Sequence, residues 1–257
     1  MAEQWREEGW AREAKRPYII TVGKKLRPKI DAIAAASSLI PDAPLLDQNA
    51  LPWTAGLAAE WQAIRDEMET IRAHDAAIPP LVEISPDHSG IAKGGDWKSF
   101  FLYGYGERIA ANCARAPHTC ALIERVPNLN TAFFSILAPG AHIPRHRGVT
   151  KGLVTWHLGL KVPREAERCR MQVDSEIVHW GEGQSFLFDD TYEHEVWNDT
   201  DETRVILLIQ VRRPMAWPGS IAPDLFLWGV RRSPFVKDAV KNIEQWEAAY
   251  KAVEADD

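Results

Sequence analysis

Three histidines in this chain of 257 residues sit in local contexts able to hold a metal ion. They are His146 in Pro144-Arg145-His146-Arg147-Gly148, His157 in Trp156-His157-Leu158-Gly159-Leu160, and His194 in Asp189-Asp190-Thr191-Tyr192-Glu193-His194-Glu195. Iron(II) sites that keep open coordination positions favour two imidazoles and one carboxylate in a facial arrangement. A sequence-local version reads His-x-Asp or His-x-Glu before a distant histidine, whereas here Gly148 stands in the carboxylate's place. Taken singly, each histidine also reads as a hydrogen-bonded core or surface residue. Arg204 heads the apolar run Val205 to Val211, where an inward guanidinium costs free energy unless it meets an anion; the other reading is an exposed strand-end arginine. Asp189 and Asp190 read as a polar turn before a strand, and Ser135 as a buried hydroxyl bonded to backbone.

These residues fall in a stretch, 130–211, of short β-prone runs separated by turn signals: Thr131 to Leu137, Val154 to Val162, Arg170 to Val173, Ser185 to Phe188, Glu195 to Trp197 and Arg204 to Val211. Many short strands at close spacing predict an antiparallel sandwich or jelly roll. Ahead of it, Leu57, Trp61, Ile64, Met68 and Ile71 recur at helical steps, predicting one helix from Thr54 to near His74 that Pro79-Pro80 stops. Helices are also expected over 106–116 and 119–125. Ser233-Pro234 supplies an N-cap and first-turn proline for a last helix packed on the body. The expectation is one domain over 1–257, mainly β with flanking helices: a helical amino-terminal layer over 1–80, a β core over 95–215 and a carboxy-terminal helix over 233–256.

A composition of 46% hydrophobic and 26% charged residues is that of a globular protein, and a formal charge of −6 without long like-charged blocks argues against nucleic acid as a partner. Cys113, Cys120 and Cys169 are odd in number and lack CxxC spacing, which argues against a disulfide framework and for a reducing cytoplasm. The polar start Met1 to Glu8 differs from a signal peptide, and no apolar run approaches a transmembrane length. The eleven tryptophans read as core and packing residues.

Ser135-Ile136-Leu137-Ala138-Pro139-Gly140, His146-Arg147-Gly148, His157-Leu158-Gly159-Leu160, Phe188-Asp189-Asp190, His194-Glu195-Val196-Trp197-Asn198 and Arg204-Val205-Ile206-Leu207 follow one another in an order and spacing that resembles the aspartyl/asparaginyl β-hydroxylase family. The resemblance spans roughly 95–215, with Trp97 to Tyr103 similar to the family's lead-in strand. It implies a double-stranded β-helix of cupin-like jelly-roll type, with iron(II) and 2-oxoglutarate as cofactors. It further implies that His146 and His194 are the metal ligands, since some members carry glycine where other oxygenases place the carboxylate. By the same resemblance Arg204 grips the distal carboxylate of 2-oxoglutarate with Ser135 beside it, and His157 contacts its proximal end. The family usually has arginine where Thr155 stands; Lys151, Arg145 or Arg147 are the loop cations able to replace it.

The implied reaction consumes molecular oxygen and 2-oxoglutarate and hydroxylates an unactivated carbon. The family name points to the β-carbon of an aspartyl or asparaginyl residue, free or in a peptide. A bacterial branch similar to this chain hydroxylates a lipid acyl chain instead; it typically carries His-Arg-Asp and an amino-terminal membrane segment, which turns the sequence-based choice toward an amino-acid or peptide substrate. A non-catalytic β-barrel binding protein, kept open by Thr155, is the third reading.

Overall fold

The computed structural model describes residues 18–85, 90–92 and 94–256. The polar segment Met1 to Glu8, the rest of the first 17 positions of the expected helical layer, and His88 lie outside the described residues. The described residues open with α1 (Tyr18–Ser37), β1 (Leu45–Leu46), α2 (Trp53–Ala59), α3 (Trp61–Arg72) and α4 (Leu81–Ile84). There follow β2 (Trp97–Gly104), β3 (Glu107–Arg108), α5 (Ala110–Arg115) and α6 (Pro117–Ile123). The strands β4 (Leu129–Leu137), β5 (His142–His146), β6 (Leu153–Lys161), β7 (Cys169–Val173), β8 (Glu176–His179), β9 (Ser185–Phe188), β10 (His194–Asn198) and β11 (Arg204–Arg212) come next, and α7 (Ile221–Arg231) and α8 (Pro234–Asp256) close the chain.

The strands form two antiparallel sheets, one of seven in the order β1-β9-β6-β11-β4-β2-β3 and one of four in the order β5-β10-β7-β8. This is the expected mainly-β jelly-roll architecture with flanking helices. Strand periodicity decides what lies between the sheets. On β11, Val205, Leu207 and Ile209 point to a core shared with Ile64, Met68 and Ile71 of α3, so they bury against helices. Arg204, Ile206, Leu208 and Gln210 alternate onto the other face, and Ile206 packs there with Leu137, Phe188, Met171 and Val196 from both sheets. Register carries the alternation across the sheet: Ser135 pairs with Ile206, His157 with Leu208, and Thr155 with both Gln210 and Phe188. A polar row thus runs along an otherwise apolar inter-sheet face. Where the smaller sheet does not reach, Leu81 and Ile84 of α4 and Ala239 and Ile243 of α8 cover Phe101 and Phe133.

Several expectations need correction. The helix predicted from Thr54 to His74 breaks at Glu60 (φ −95°, ψ 11°), separating α2 from α3 and leaving Trp61 against Gly183, while Leu57, Ile64, Met68 and Ile71 stay buried as their spacing predicted. The helix expected from 106 begins only at Ala110, because Tyr105 and Gly106 take positive φ in a tight turn between β2 and β3. The reading against disulfide bonding is corrected as well. Cys113 and Cys120 form a disulfide, Cα–Cα 5.6 Å, since α6 starts at Pro117 right after α5 and folds the two residues together; Cys169 is free and buried. Among the described residues no helix is long and apolar enough to cross a membrane.

Candidate active site

His146 ends β5 and His194 begins β10, and the two are direct cross-strand partners. Opposed residues of an antiparallel pair project to the same side, and the two rings stand 4.1 Å apart between centroids. Each ring is pinned from behind. His146 Nδ1 donates to Pro144 O (2.8 Å) and His194 Nδ1 to Tyr192 O (3.0 Å). A carbonyl can only accept, so each neutral ring carries its proton on Nδ1 and keeps the Nε2 lone pair. Burial holds the His194 imidazole below the ordinary histidine range, and burial together with the neighbouring His194 pushes His146 down to about 4. Both rings are therefore neutral and ready to bind a metal near pH 7. Among the described residues no group of three His, Cys, Asp or Glu side chains converges on one point.

The structure separates the two aspartates. Asp189 is fully buried and fully used: its carboxylate accepts from Thr191 N (2.9 Å), Thr191 Oγ1 (2.5 Å), Lys151 Nζ (2.9 Å) and the Arg213 guanidinium. Asp190 points the other way. Its Oδ2 accepts from Thr155 Oγ1 (3.1 Å) and Gln210 Nε2 (2.8 Å), while Oδ1 is buried with no hydrogen-bond partner. Burial first, and the Asp189 carboxylate second, push its carboxyl up to about 7. Asp190 also fills the space beside Gly148: a Cβ at 148 would overlap its carboxylate, and Gly148 N donates to Asp190 O at 2.6 Å. The glycine that interrupts His-x-Asp makes room for a carboxylate from another strand end. Gly148→Asp is accordingly expected to lower the thermal unfolding temperature, at a cost of about 1–3 kcal/mol or more from overpacking two buried carboxyls. An unchanged midpoint would mean that this contact is soft.

The inter-sheet face holds a second cluster. Arg204 is 2% exposed, and its Nε is buried without a partner. Its guanidinium lies 4.6 Å over the Trp180 ring, and burial lowers its pKa to about 10. Among the described residues it forms no ion pair with a carboxylate. Ser135, diagonal to it on β4, accepts from Trp97 Nε1 at 3.0 Å, which leaves its own O–H free to donate. His157 is enclosed by Trp180, Phe186 and Phe188 with both ring nitrogens unpartnered, and burial, then Arg204, then His194 hold it well below the usual range. Buried donors without acceptors cost on the order of 1–3 kcal/mol each. Here they are a cation, a hydroxyl and an imidazole on one face, a donor set suited to a small dicarboxylate.

The three loop cations nominated to replace the missing arginine are engaged elsewhere. Lys151 joins Asp42 (2.5 Å) and Asp189 (2.9 Å), Arg145 pairs with Glu193 and Glu195, and Arg147 with Glu193, the last two well exposed. A cation that sequence reasoning missed comes from α1. Arg27 donates from its guanidinium to Gly148 O (2.5 Å) and to Asp31 Oδ2 (3.2 Å), and its charge acts on Asp190. Nothing local in Lys24-Lys25-Leu26-Arg27 announces this, because the contact spans 121 residues. Gln210, Trp97 and Trp180 were missed too. For Gln210 a signal existed: it is the lone polar residue in Val205 to Val211 and sits at an even step from Arg204, hence on the same face.

Two imidazoles with matched tautomers suit a divalent transition metal, and the unpartnered nitrogens of Arg204 and His157 with the free Ser135 hydroxyl proton suit the carboxylates of a 2-oxo acid, so the residues fit the iron(II) and 2-oxoglutarate pair that the resemblance implies. Comparison with known proteins agrees with the resemblance. An ornithine lipid ester-linked acyl 2-hydroxylase of Rhizobium tropici is 37% identical over 209 residues, covering 81% of this chain and 74% of that protein. The aspartyl/asparaginyl β-hydroxylase of Homo sapiens is 33% identical over 167 residues, 63% of this chain, and the match spans only 21% of that longer protein. Among solved structures, the cupin domain of Schizosaccharomyces pombe Cnp3 aligns with a TM-score of 0.32 at 11% identity, over 46% of this chain and 66% of that one. The pattern of the aspartyl/asparaginyl β-hydroxylase family matches residues 58–214, and the chain belongs to that family.

Proposed function

We propose that the protein is an iron(II)- and 2-oxoglutarate-dependent hydroxylase whose substrate is the acyl chain of a membrane lipid. The observation that carries the chemistry is the buried, unpartnered Arg204 facing the same inter-sheet space as His157 and Ser135. A cation held there without an anion is destabilising until a carboxylate arrives. His146 and His194 would hold the metal, Arg204 and Ser135 the distal carboxylate, and His157 the proximal end. When bound, iron(II) with 2-oxoglutarate supplies the oxidising power: dioxygen gives one oxygen atom to a C–H bond of the substrate and one to succinate, with loss of carbon dioxide.

The protein's own work is positional. The Nδ1 contacts to Pro144 O and Tyr192 O fix the ring planes, as outer partners of metal-bound histidines generally do. Asp190, its carboxyl pushed up to about 7, fills the space beside Gly148 in the segment that would carry the metal ligand His146, with its buried Oδ1 left able to take a hydrogen bond from a bound ligand. Phe186, Phe188 and Trp180 exclude bulk water around His157. Arg27, although paired with Asp31, acts by its charge on Asp190 beside Thr155, and would supply the charge that Thr155 lacks. Arg27→Gln is expected to weaken 2-oxoglutarate about tenfold, the loss of one charge-assisted contact, and Thr155→Arg in that background to restore it. Calorimetric titration with 2-oxoglutarate decides this, and equal affinity in Arg27→Gln would remove Arg27 from the site.

The choice of a lipid follows from the relative that acts on an ester-linked acyl chain, whose similarity extends over 209 residues against the 167 shared with the human enzyme. Gly148 favours the second reading, an aspartyl or asparaginyl side chain. The test is an anaerobic titration with iron(II) and then 2-oxoglutarate, watched for the visible charge-transfer band of the chelate. Aerobic incubation with a mixed-acyl polar lipid extract, or with an aspartyl peptide, follows, with products read by mass. A band with a 16 Da gain on an acyl chain is expected on the arithmetic of one inserted oxygen, roughly one atom per turnover. A gain on the peptide instead would shift the substrate, and no band would end the reading.

A further inference from the structure

We infer that α7 and the residue Trp217 before it form a docking face for an anionic lipid bilayer, set against the rim of the metal site. The helix buries Pro223 and Leu227, yet Ile221, Leu225 (63% exposed) and Trp228 (56% exposed), at steps of four and three, form a second apolar stripe turned to solvent. A helix on a water-soluble surface normally turns polar residues outward. Trp217 is 81% exposed just ahead of the stripe, beside the exposed Leu39, whose backbone bonds to Pro214 O while Ala216 N bonds to Ser37 O. Scattered apolar residues need no account, but a run of this kind marks an interaction site. Tryptophan in particular suits the boundary between headgroups and acyl chains.

Charge selects the partner. Tyr18–Ser37 holds four basic residues against Asp31 alone, and residues 212–232 hold four arginines against Asp224 alone, in a chain whose formal charge is −6. Arg213 is used inside on Asp189, and Arg212 pairs with Asp224. Lys29 remains exposed, and Arg232 lies with its guanidinium 4.1 Å over the Trp228 ring, an apolar body with a cationic edge. α1 and α7 pack together, which brings the two basic segments next to each other. An anionic bilayer complements such a face; a second copy of the same basic patch would meet it with like charge across a two-fold contact.

Position gives the face its purpose. A Cβ on Gly152 would touch Pro223 at 3.1 Å, so α7 lies directly on the segment that follows the metal-binding turn. Val149, next to Gly148, is itself exposed, and Arg27 of α1 holds Gly148 O. A bilayer on α7 therefore lies at the rim of the site. That purpose rests on the lipid-substrate reading above, whereas the docking itself does not.

The test uses metal-free full-length protein and sucrose-loaded vesicles of phosphatidylcholine, with or without phosphatidylglycerol. Sedimentation with the phosphatidylglycerol vesicles is expected, with a blue shift of tryptophan emission and weakening at high salt. Leu225→Glu/Trp228→Glu is expected to reduce partitioning about tenfold or more, and Trp217→Ser, at a site too exposed to disturb the core, to reduce it in the same direction. Both variants should keep the iron–2-oxoglutarate band, so docking without the band would sink the hydroxylase reading and spare this one. The proposal is overturned if the unaltered protein stays in the supernatant with phosphatidylglycerol vesicles or if the variants sediment as it does. It is equally overturned if the double variant converts a dimer to a monomer, which would assign the face to a second copy.

Discussion

Changing His194 to alanine is expected to lower iron(II) affinity by more than about a hundredfold and to bring turnover to background. Even outer partners of metal ligands cost 10–100-fold when removed, and in a two-histidine site each ring supplies half of the protein's ligands. His146→Ala should do the same, and the double variant should be no worse than either single one, because neither ring retains the metal alone. Iron titration followed by the chelate band measures all three; normal binding in both single variants would remove the pair from the metal. There is also a signature without metal. His146 has a folded value of about 4 against an ordinary 6.5, so the unfolded chain takes up its proton first as pH falls. The contribution is fully present above 6.5 and is lost as pH drops toward 4, so the metal-free protein should lose stability through that window. His146→Ala should flatten part of that slope.

Arg204→Met is expected to move two quantities in opposite directions. Truncating one side of a buried, hydrogen-bonded charge contact costs about 2–5 kcal/mol, so 2-oxoglutarate affinity should fall on the order of a hundredfold. The ligand-free protein should keep its thermal midpoint or gain from the change. Arg204 is fully buried with its Nε unpartnered, and a flexible apolar side chain of similar reach lies on Trp180 without that desolvation cost. Equal affinity would place the clamp elsewhere. A large loss of stability without ligand would mean that the guanidinium serves packing and that its charge is incidental.

The strands of the core were legible because each carries its own signal. Ser185 to Phe188 coincides with β9, and the run opened by Arg204 coincides with β11 to within one residue. The alternation that puts Arg204, Ile206 and Gln210 on one face follows from period two and needs no structure. The ordered motifs marked His146, His157, His194, Ser135 and Arg204, and the fold brings all five to the two facing sheets. What could not be read was long-range. The tie from Arg27 to Gly148 depends on where α1 lands, and the division of labour between Asp189 and Asp190 depends on Arg213 and Lys151 lying on one side and Thr155 and Gln210 on the other. The Cys113–Cys120 pairing depends on two short helices meeting at Ala116, which cysteine counting ignores.

The shared volume of Gly148 and Asp190 has an evolutionary consequence. A side chain at 148 would overlap the Asp190 carboxylate as it stands, so a substitution of Gly148 must displace that carboxylate unless position 190 changes as well. Either step alone leads through a strained or carboxylate-free ancestor, and only the paired exchange, Gly148→Asp with Asp190→Gly, keeps one carboxyl in the volume throughout. The two positions form one coupled unit although β6 to β9 separate them in the chain, and the effects of substituting them on stability are expected to be non-additive.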